Sequence, residues 1–157
     1  MQFTEVENWV LECCANGELA DLDRRPGSIP GRTLRASALR QMMLGLPVQG
    51  PDGKSATVSL PCGLAISNAE VQGQLNLARA HSPRGDAACP PLVLTNCTFV
   101  DVAPAPRPAD RPLANIDLAH ARIAHLSLID CRLSQLDLRD AHIDGEFNFS
   151  GLGPPQE

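Results

Sequence analysis

The sequence is poor in aromatic residues: it has no Tyr, one Trp and four Phe among 157 residues. Proteins that bind single-stranded nucleic acid stack the bases on exposed aromatic rings, so this composition argues against that class. Lysine is equally scarce, because Lys54 is the only one, and the formal net charge is −5. A protein that neutralises nucleic-acid phosphates needs a basic surface. The composition therefore predicts no direct nucleic-acid binding.

Long apolar runs are also missing. No stretch approaches the ~20 residues that a helix needs to cross a bilayer. Residues 1–10 lack the basic start and apolar core of a secretory signal, so we expect a cytoplasmic protein without a membrane span. Cysteines could form disulfides in a secreted chain, but without a signal we expect free thiols; the six are Cys13, Cys14, Cys62, Cys89, Cys97 and Cys131.

Residues 1–47 are predicted to form a helical N-terminal cap. Thr4 and Glu7 have the spacing of a capping box at the start of a first helix. A second helix is predicted from about Leu34 to Leu44. The apolar residues of the first helix recur on one face; they are Val6, Trp9, Val10, Cys13 and Cys14.

Residues 116–143 carry a repeat of ten residues. Apolar side chains fall at alternating spacings of two and three, which is neither the helical period nor strict strand alternation. The repeat can be written L-x-L-x-x-A/C-x-I/L. It has earlier copies that begin at Leu64 and Leu92, and a partial copy begins at Leu75. Self-similarity of this kind predicts a solenoid.

A five-residue step indicates how such a chain would fold. Two inward side chains separated by one outward residue form a short flat side, and a two-residue corner turns the chain. Four steps close a coil of about 20 residues, and successive coils stack at the strand spacing of ~4.8 Å. We therefore predict a β-helix over residues 56–151. A proline-rich stretch interrupts the period, so residues 103–112 are predicted to form a loop insertion.

The repeat resembles that of the pentapeptide-repeat family, in which a small residue, Asp or Asn, and Leu or Phe precede two variable positions. The resemblance covers roughly residues 60–150, with Leu or Ile often replacing the small residue. It implies a mainly β fold: a right-handed quadrilateral β-helix that is often dimeric and usually binds proteins, here capped by two N-terminal α-helices. The centres of the resemblance are Ile116-Asp117-Leu118, Ala121-Arg122-Ile123, Cys131-Arg132-Leu133, Leu136-Asp137-Leu138 and Ala141-His142-Ile143.

Alignment of the repeats predicts ladders of inward side chains from successive coils. Two ladders are aliphatic: Ile66, Leu94, Leu128 and Phe149 in one, and Leu77, Leu118 and Leu138 in the other. Two contain small residues: Ala69, Cys97 and Cys131 in one, and Ala80, Ala121 and Ala141 in the other. Because a thiol is a good small filler of a narrow core, Cys97 and Cys131 are predicted to be stacked, buried and free.

The sequence has none of the common motifs of phosphate-binding loops, dinucleotide sites, zinc proteases or serine hydrolases. We therefore expect no enzymatic activity and no cofactor. His120 and His125 would lie on adjacent sides of a coil. In the next coil, His120 would lie beside Asp140 as a surface pair, so no metal site is expected.

Outward positions of the repeat form a candidate acidic face with Asp117, Asp137 and Asp140, in which Asp117 and Asp137 would be stacked like charges. Some pentapeptide-repeat proteins mimic DNA and bind topoisomerases, so the resemblance offers a DNA-mimic regulator as an alternative. Length opposes it, because about three and a half coils at ~4.8 Å give a rod of roughly 17 Å. One turn of DNA spans ~34 Å.

A solenoid must cover the strand edges at both ends. The predicted helices can cover the first coil. The last coil ends in large apolar residues that suit an interface, namely Phe147, Phe149 and Leu152. We therefore expect a non-catalytic protein-binding or scaffold module that contacts a protein partner or a second copy through its C-terminal end. A thiol-dependent redox enzyme using Cys13 and Cys14 is the alternative from another class.

Overall fold

The structure, a computed structural model, describes residues 2–50, 52–57, 59–81, 88–102 and 112–151. This part of the chain is mainly β, as the repeat predicts, and has two helices: α1, Glu5–Ala15, and α2, Ala36–Met43. Strands β1 to β5 are Ala20–Asp21, Thr33–Arg35, Val48–Gln49, Ser55–Ala56 and Leu64–Ser67. Strands β6 to β10 are Glu70–Gln72, Leu75–Asn76, Leu92–Thr95, Thr98–Val100 and Ile116–Asp117. Strands β11 to β15 are Arg122–Ile123, Leu126–Ile129, Leu136–Asp137, His142–Ile143 and Phe147–Ser150.

Each of the larger sheets collects strands from successive repeats. The largest sheet has five parallel strands in the order β1-β5-β8-β12-β15. Two further parallel sheets have the orders β2-β6-β9 and β7-β10-β13, and β11 pairs with β14. Among the described strands, only β3 and β4 pair antiparallel. The predicted insertion at 103–112 lies, except for Pro112, outside the described residues.

The strand register brings equivalent residues of the repeats into line. Leu128 pairs with Leu94 on one side and with Phe149 on the other, and Leu94 pairs with Ile66. These are the residues that the alignment places in one ladder. Ile66, Leu94 and Leu128 are fully buried. Because burial of a Leu or Ile side chain contributes about 1.5–3 kcal/mol, this column is a main source of stability.

The same register applies to the other side of the repeat. The pairs Ile116–Leu136 and Arg122–His142 bring further inward residues to equivalent positions: Leu118 with Leu138, and Ala121 with Ala141. Leu118 and Ala121 are fully buried, whereas Leu138 and Ala141 are only partly buried. The difference arises because the latter two belong to the last described repeat.

The turns that follow β5, β8 and β12 each begin with a residue in the left-handed backbone conformation. Asn68, Asn96 and Asp130 follow β5, β8 and β12 and have φ angles of 60°, 51° and 53°. Asn and Asp adopt this conformation more readily than other non-glycine residues. The side chains also join successive strands, because Asn96 Nδ2 donates to Asn68 Oδ1 at 2.7 Å and Asn68 Nδ2 donates to Asp21 Oδ1 at 2.8 Å.

The N-terminal region contributes strands as well as helices, which corrects the prediction of a helical cap over residues 1–47. β1 pairs with β5 and β2 pairs with β6, so two sheets begin within this region. Helix α2 begins at Ala36 rather than at Leu34, because Leu34 lies in β2, where it is fully buried and pairs with Val71. A strand of three residues is too short to show the alternation of a strand in the sequence. Leu34 also fits the apolar spacing of the helix that follows, so the sequence predicts it as helical.

Helix α1 begins at the predicted capping box and is attached to β2 by a buried carboxylate. Thr4 Oγ1 accepts a hydrogen bond from the Glu7 N–H at 3.3 Å, and the Glu7 carboxylate accepts from the Thr4 N–H at 2.8 Å. The same carboxylate accepts from the N–H, Nε and Nη2 of Arg35 at 2.9, 2.9 and 2.5 Å. Burial acts to raise the pKa of the fully buried Glu7, but the hydrogen bonds from Arg35 and Thr4 outweigh it and lower that pKa.

Candidate functional site

The two ends of the sheets differ in what covers them. At the N-terminal end, α1 packs against β1, β2 and β5, and α2 packs against β7. Cys14 Sγ donates to the Ala65 carbonyl at 3.6 Å, and Arg40 Nη1 donates to the Asn76 carbonyl at 2.6 Å, so both helices are tied to the strands. At the other end, β13, β14 and β15 are the last strands of their sheets. In the described part of the chain, no strand pairs with their outer edges.

Side chains in these last strands are exposed where their partners in the preceding strand are buried. Leu126 in β12 is fully buried, but its partner Phe147 in β15 is 47% exposed. Ile116 in β10 is fully buried, whereas its partner Leu136 in β13 is only partly buried. Paired residues of parallel strands point to the same side of a sheet. The exposure therefore marks the end of the stack among the described residues.

The exposed side chains border a shallow apolar groove. Its volume is about 270 Å³, and it is lined by Leu138, Ala141, Ile143 and Phe147. The ring of Phe147 packs edge-to-face on that of Phe149, with centroids 4.2 Å apart and planes at 73°. Edge-to-face packing is a favourable aromatic geometry, so the two rings support each other at the end of the sheet. The groove is suited to an apolar side chain from another surface.

A close backbone approach positions the strand that carries both rings. A Cβ at Gly145, just before β15, would lie 2.6 Å from the Ala124 carbonyl oxygen, which is closer than real contacts allow. Any larger residue would push the turn outward. Gly145 therefore lets the chain enter β15 directly against β12.

The structure brings together two of the three predicted interface residues, Phe147 and Phe149, while Leu152 lies outside the described residues. Leu138 and Ala141 are predicted as ladder residues with no part in the interface, but both line the groove. Both lie in the last repeat that the structure describes, and this position is the signal that could identify them, since no described strand covers their inward side chains.

The predicted acidic face is present but partly neutralised. Asp117 and Asp137 are paired across β10 and β13, as the alignment predicts. The Asp137 carboxylate accepts hydrogen bonds from Arg139 Nε at 3.0 Å and Nη2 at 2.7 Å, and these bonds lower the pKa of Asp137. Asp140 lies 3.6 Å from His120 Nδ1. The three aspartates are therefore close together, with a guanidinium and an imidazole among them.

Both adjacent thiols of α1 have pKa values raised above that of an ordinary thiol. Cys14 is buried, and burial raises its pKa to about 11. Burial, together with Glu18 and Glu12, also raises the pKa of the partly exposed Cys13. Reactive cysteines need a lowered pKa, because the thiolate is the nucleophile. The redox alternative has no support from this geometry.

The stacked thiols are buried in the core. Cys97 and Cys131 are free and fully buried. Cys131 Sγ donates to the Leu94 carbonyl at 3.4 Å, and Cys97 Sγ donates to the Ile66 carbonyl at 3.8 Å. The neighbouring Cys131 thiol and burial raise the pKa of Cys97. Both residues therefore act as small core side chains with satisfied S–H groups.

The described part of the chain has no cluster of metal ligands and no membrane-spanning helix. Within these ranges, no three His, Cys, Asp or Glu side chains are grouped so that they could hold a metal ion. None of the described helices is long and apolar enough to cross a bilayer. The apolar groove at the last strands is thus the main candidate for a functional site.

Comparison of the chain with protein-family models, curated proteins and solved structures finds no significant match.

Proposed function

We propose that this protein is a non-catalytic protein-binding or scaffold module that acts in the bacterial cytoplasm. In this proposal the parallel sheets are the sides of a right-handed quadrilateral β-helix of the pentapeptide-repeat type. Two features support it: from β5 onward, consecutive strands along the chain fall in different sheets, and the parallel sheets pair equivalent residues of the repeat. The left-handed residues at equivalent corners, such as Asn68 and Asn96, are a third.

The observation that carries the proposed function is the exposed end of the last repeat. Phe147 is 47% exposed, while its partner Leu126 is fully buried in an otherwise equivalent position. Unpaired strand edges beside exposed apolar side chains favour association with another chain. We propose that a second copy or another protein contacts this end through the groove that Phe147 borders.

A charge placed in the groove tests the proposal. We expect Phe147→Arg to abolish self-association or partner binding, because an arginine cannot be buried there without a counter-charge. Leu19→Arg is the matched control, since Leu19 is similarly exposed, at 54%, but lies next to β1 in the N-terminal region. Sedimentation equilibrium over a concentration series measures the dimer, and affinity purification from the native host captures a different partner. The proposal is contradicted if the wild-type chain is monomeric at all concentrations and also captures no protein whose binding is lost in Phe147→Arg.

The stacked aspartates favour a second candidate function, a DNA-mimic regulator of a topoisomerase. Asp117 and Asp137 are neighbours on adjacent strands and could present phosphate-like charges. Arg139 offsets part of this charge through its bonds to Asp137. A gyrase supercoiling assay tests this candidate: inhibition that is lost with Asp117→Asn plus Asp137→Asn supports it, and absence of inhibition contradicts it.

A further inference from the structure

A second concave surface lies along helix α1. Four of its residues recur at positions i, i+3, i+4 and i+7, so they share one face of the helix. That face and the loop at residues 28–29 border a groove of about 450 Å³. The lining residues are Glu5, Asn8, Trp9, Glu12, Ser28 and Ile29.

The lining of the groove includes an indole ring. Trp9 is the single tryptophan of the chain; it packs against the hydrophobic core but remains partly exposed. Among the described residues, its indole N–H has no hydrogen-bond partner. A partly exposed indole offers a cation both an apolar surface and the negative face of its π-system.

The loop at residues 28–29, which also lines the groove, is held in place by hydrogen bonds to its backbone. The Ile29 N–H donates to the Pro26 carbonyl at 3.0 Å, and Arg25 Nε donates to the Ile29 carbonyl at 3.1 Å. Arg25 Nη1 donates to the Leu22 carbonyl at 2.6 Å. Arg25 therefore shapes the loop through backbone carbonyls and forms no ion pair with a groove carboxylate in the described structure.

The groove carries two negative charges. Glu5 and Glu12 are both exposed, and neither forms an ion pair with any residue that the structure describes. The acidic side chains of Glu7, Asp23 and Asp137, in contrast, each pair with an arginine. Glu5 and Glu12 are seven residues apart, which corresponds to about 10 Å along the helix axis.

We propose that this groove binds a basic segment of a partner protein, in polyproline II conformation, with two Lys or Arg residues three positions apart. A polyproline II helix has three residues per turn and rises ~3.1 Å per residue, so this spacing places both cations on one side of the segment, about 9 Å apart, close to the separation of Glu5 and Glu12 along α1. The methylene stems of the basic side chains would cover the indole of Trp9, as long cationic side chains do on apolar surfaces. This site is separate from the groove at the last strands and does not depend on the function proposed for it.

Fluorescence of the single tryptophan provides a direct test. The full chain is titrated with a capped peptide containing Arg-Ser-Ala-Arg, with a peptide in which Glu replaces both Arg, and with one in which the two Arg are adjacent. We expect a saturable change in Trp9 fluorescence with the first peptide, binding at least fivefold weaker with the third, and none with the second. Added salt should weaken the binding, since it screens exposed charges. No saturable change with the first peptide, or an equal change with the acidic peptide, overturns the proposal.

Carboxylate variants locate the site. Glu5→Gln combined with Glu12→Gln should weaken binding of the first peptide at least tenfold. Glu18→Gln is the matched control, because Glu18 is an exposed carboxylate that does not line the groove, and it should change the affinity less than twofold. Circular dichroism verifies that each variant is folded. Unchanged affinity in a folded double variant overturns the proposal, as does an equal loss in the control.

Discussion

Replacing Glu7 by Gln removes the charge from the carboxylate that joins α1 to β2 and preserves the shape of the side chain. The carboxylate accepts four hydrogen bonds, three of them from Arg35. A glutamine has one accepting oxygen, and its NH₂ group would face the donors. Hydrogen bonds to charged groups contribute about 1.5–3 kcal/mol each, and breaking a buried ion pair costs about 3–5 kcal/mol. The Arg35 side chain is 38% exposed, so water can replace part of the lost interaction. We therefore expect Glu7→Gln to lower the free energy of unfolding by about 2–4 kcal/mol.

The loss should depend on pH. Burial opposes ionisation of Glu7, but the hydrogen bonds from Arg35 outweigh it and hold the pKa below its ordinary value of 4.5. A carboxylate with a lower pKa in the folded state stabilises the fold above its unfolded pKa, and this stabilisation disappears as the pH falls through the folded value. The difference between wild type and Glu7→Gln should therefore be complete at pH 7 and should shrink below about pH 4.5.

Urea unfolding at pH 7 and at pH 3.5, followed by circular dichroism, measures both quantities. Thermal unfolding should show a decrease of about 2–4 °C in the melting temperature for each kcal/mol lost. Glu12→Gln is the control, because Glu12 is an exposed carboxylate on the same helix and should change stability by less than about 0.5 kcal/mol. A loss in Glu7→Gln no larger than in the control, or one equal at both pH values, would refute this account of the buried carboxylate.

Three further predictions concern stability and thiol accessibility. Gly63→Ala should cost more than about 3 kcal/mol, because its Cβ would collide with the Pro91 carbonyl. Gly31 has the same φ of 79°, but no atom lies near the position of its Cβ, so Gly31→Ala should lower the free energy of unfolding by only about 1–2 kcal/mol. Equal urea midpoints for the two variants would contradict the predicted collision at Gly63. Arg79 has a left-handed φ of 59°, which Asn adopts more readily, so Arg79→Asn should raise the free energy of unfolding by about 0.5–1 kcal/mol. A lower melting temperature of this variant would contradict the prediction. A thiol reagent should label Cys62 quickly and the four buried cysteines only after unfolding, as peptide mass spectrometry can determine.

The interior of the sheets could be predicted from the sequence because its repeat has a period. Leu94, Leu128 and Phe149 occur at the same position of the motif, and the structure pairs them. The start of α1 was predictable for a different reason, since Thr4 and Glu7 form a local signal over four residues. Both signals lie within short windows of sequence.

Features that depend on distant contacts were not predictable. The ion pair between Glu7 and Arg35 joins residues far apart in the sequence. In the sequence, the capping box already accounts for a glutamate at position 7, so nothing there indicates that its carboxylate also binds Arg35. β1 and β2 contain only two and three residues, so their places in the sheets depend on the strands they meet.

The parallel register also governs how such a chain can change in length during evolution. Ile116 pairs with Leu136, which is near in sequence, and with Leu75, which is twice as far away, yet both pairings have the same alignment. Extra residues between strands are therefore accommodated outside the paired segments. Insertions and deletions should be neutral to the interior when they fall between strands, whereas one residue gained between Leu126 and Leu128 in β12 would turn Leu128 away from the interior.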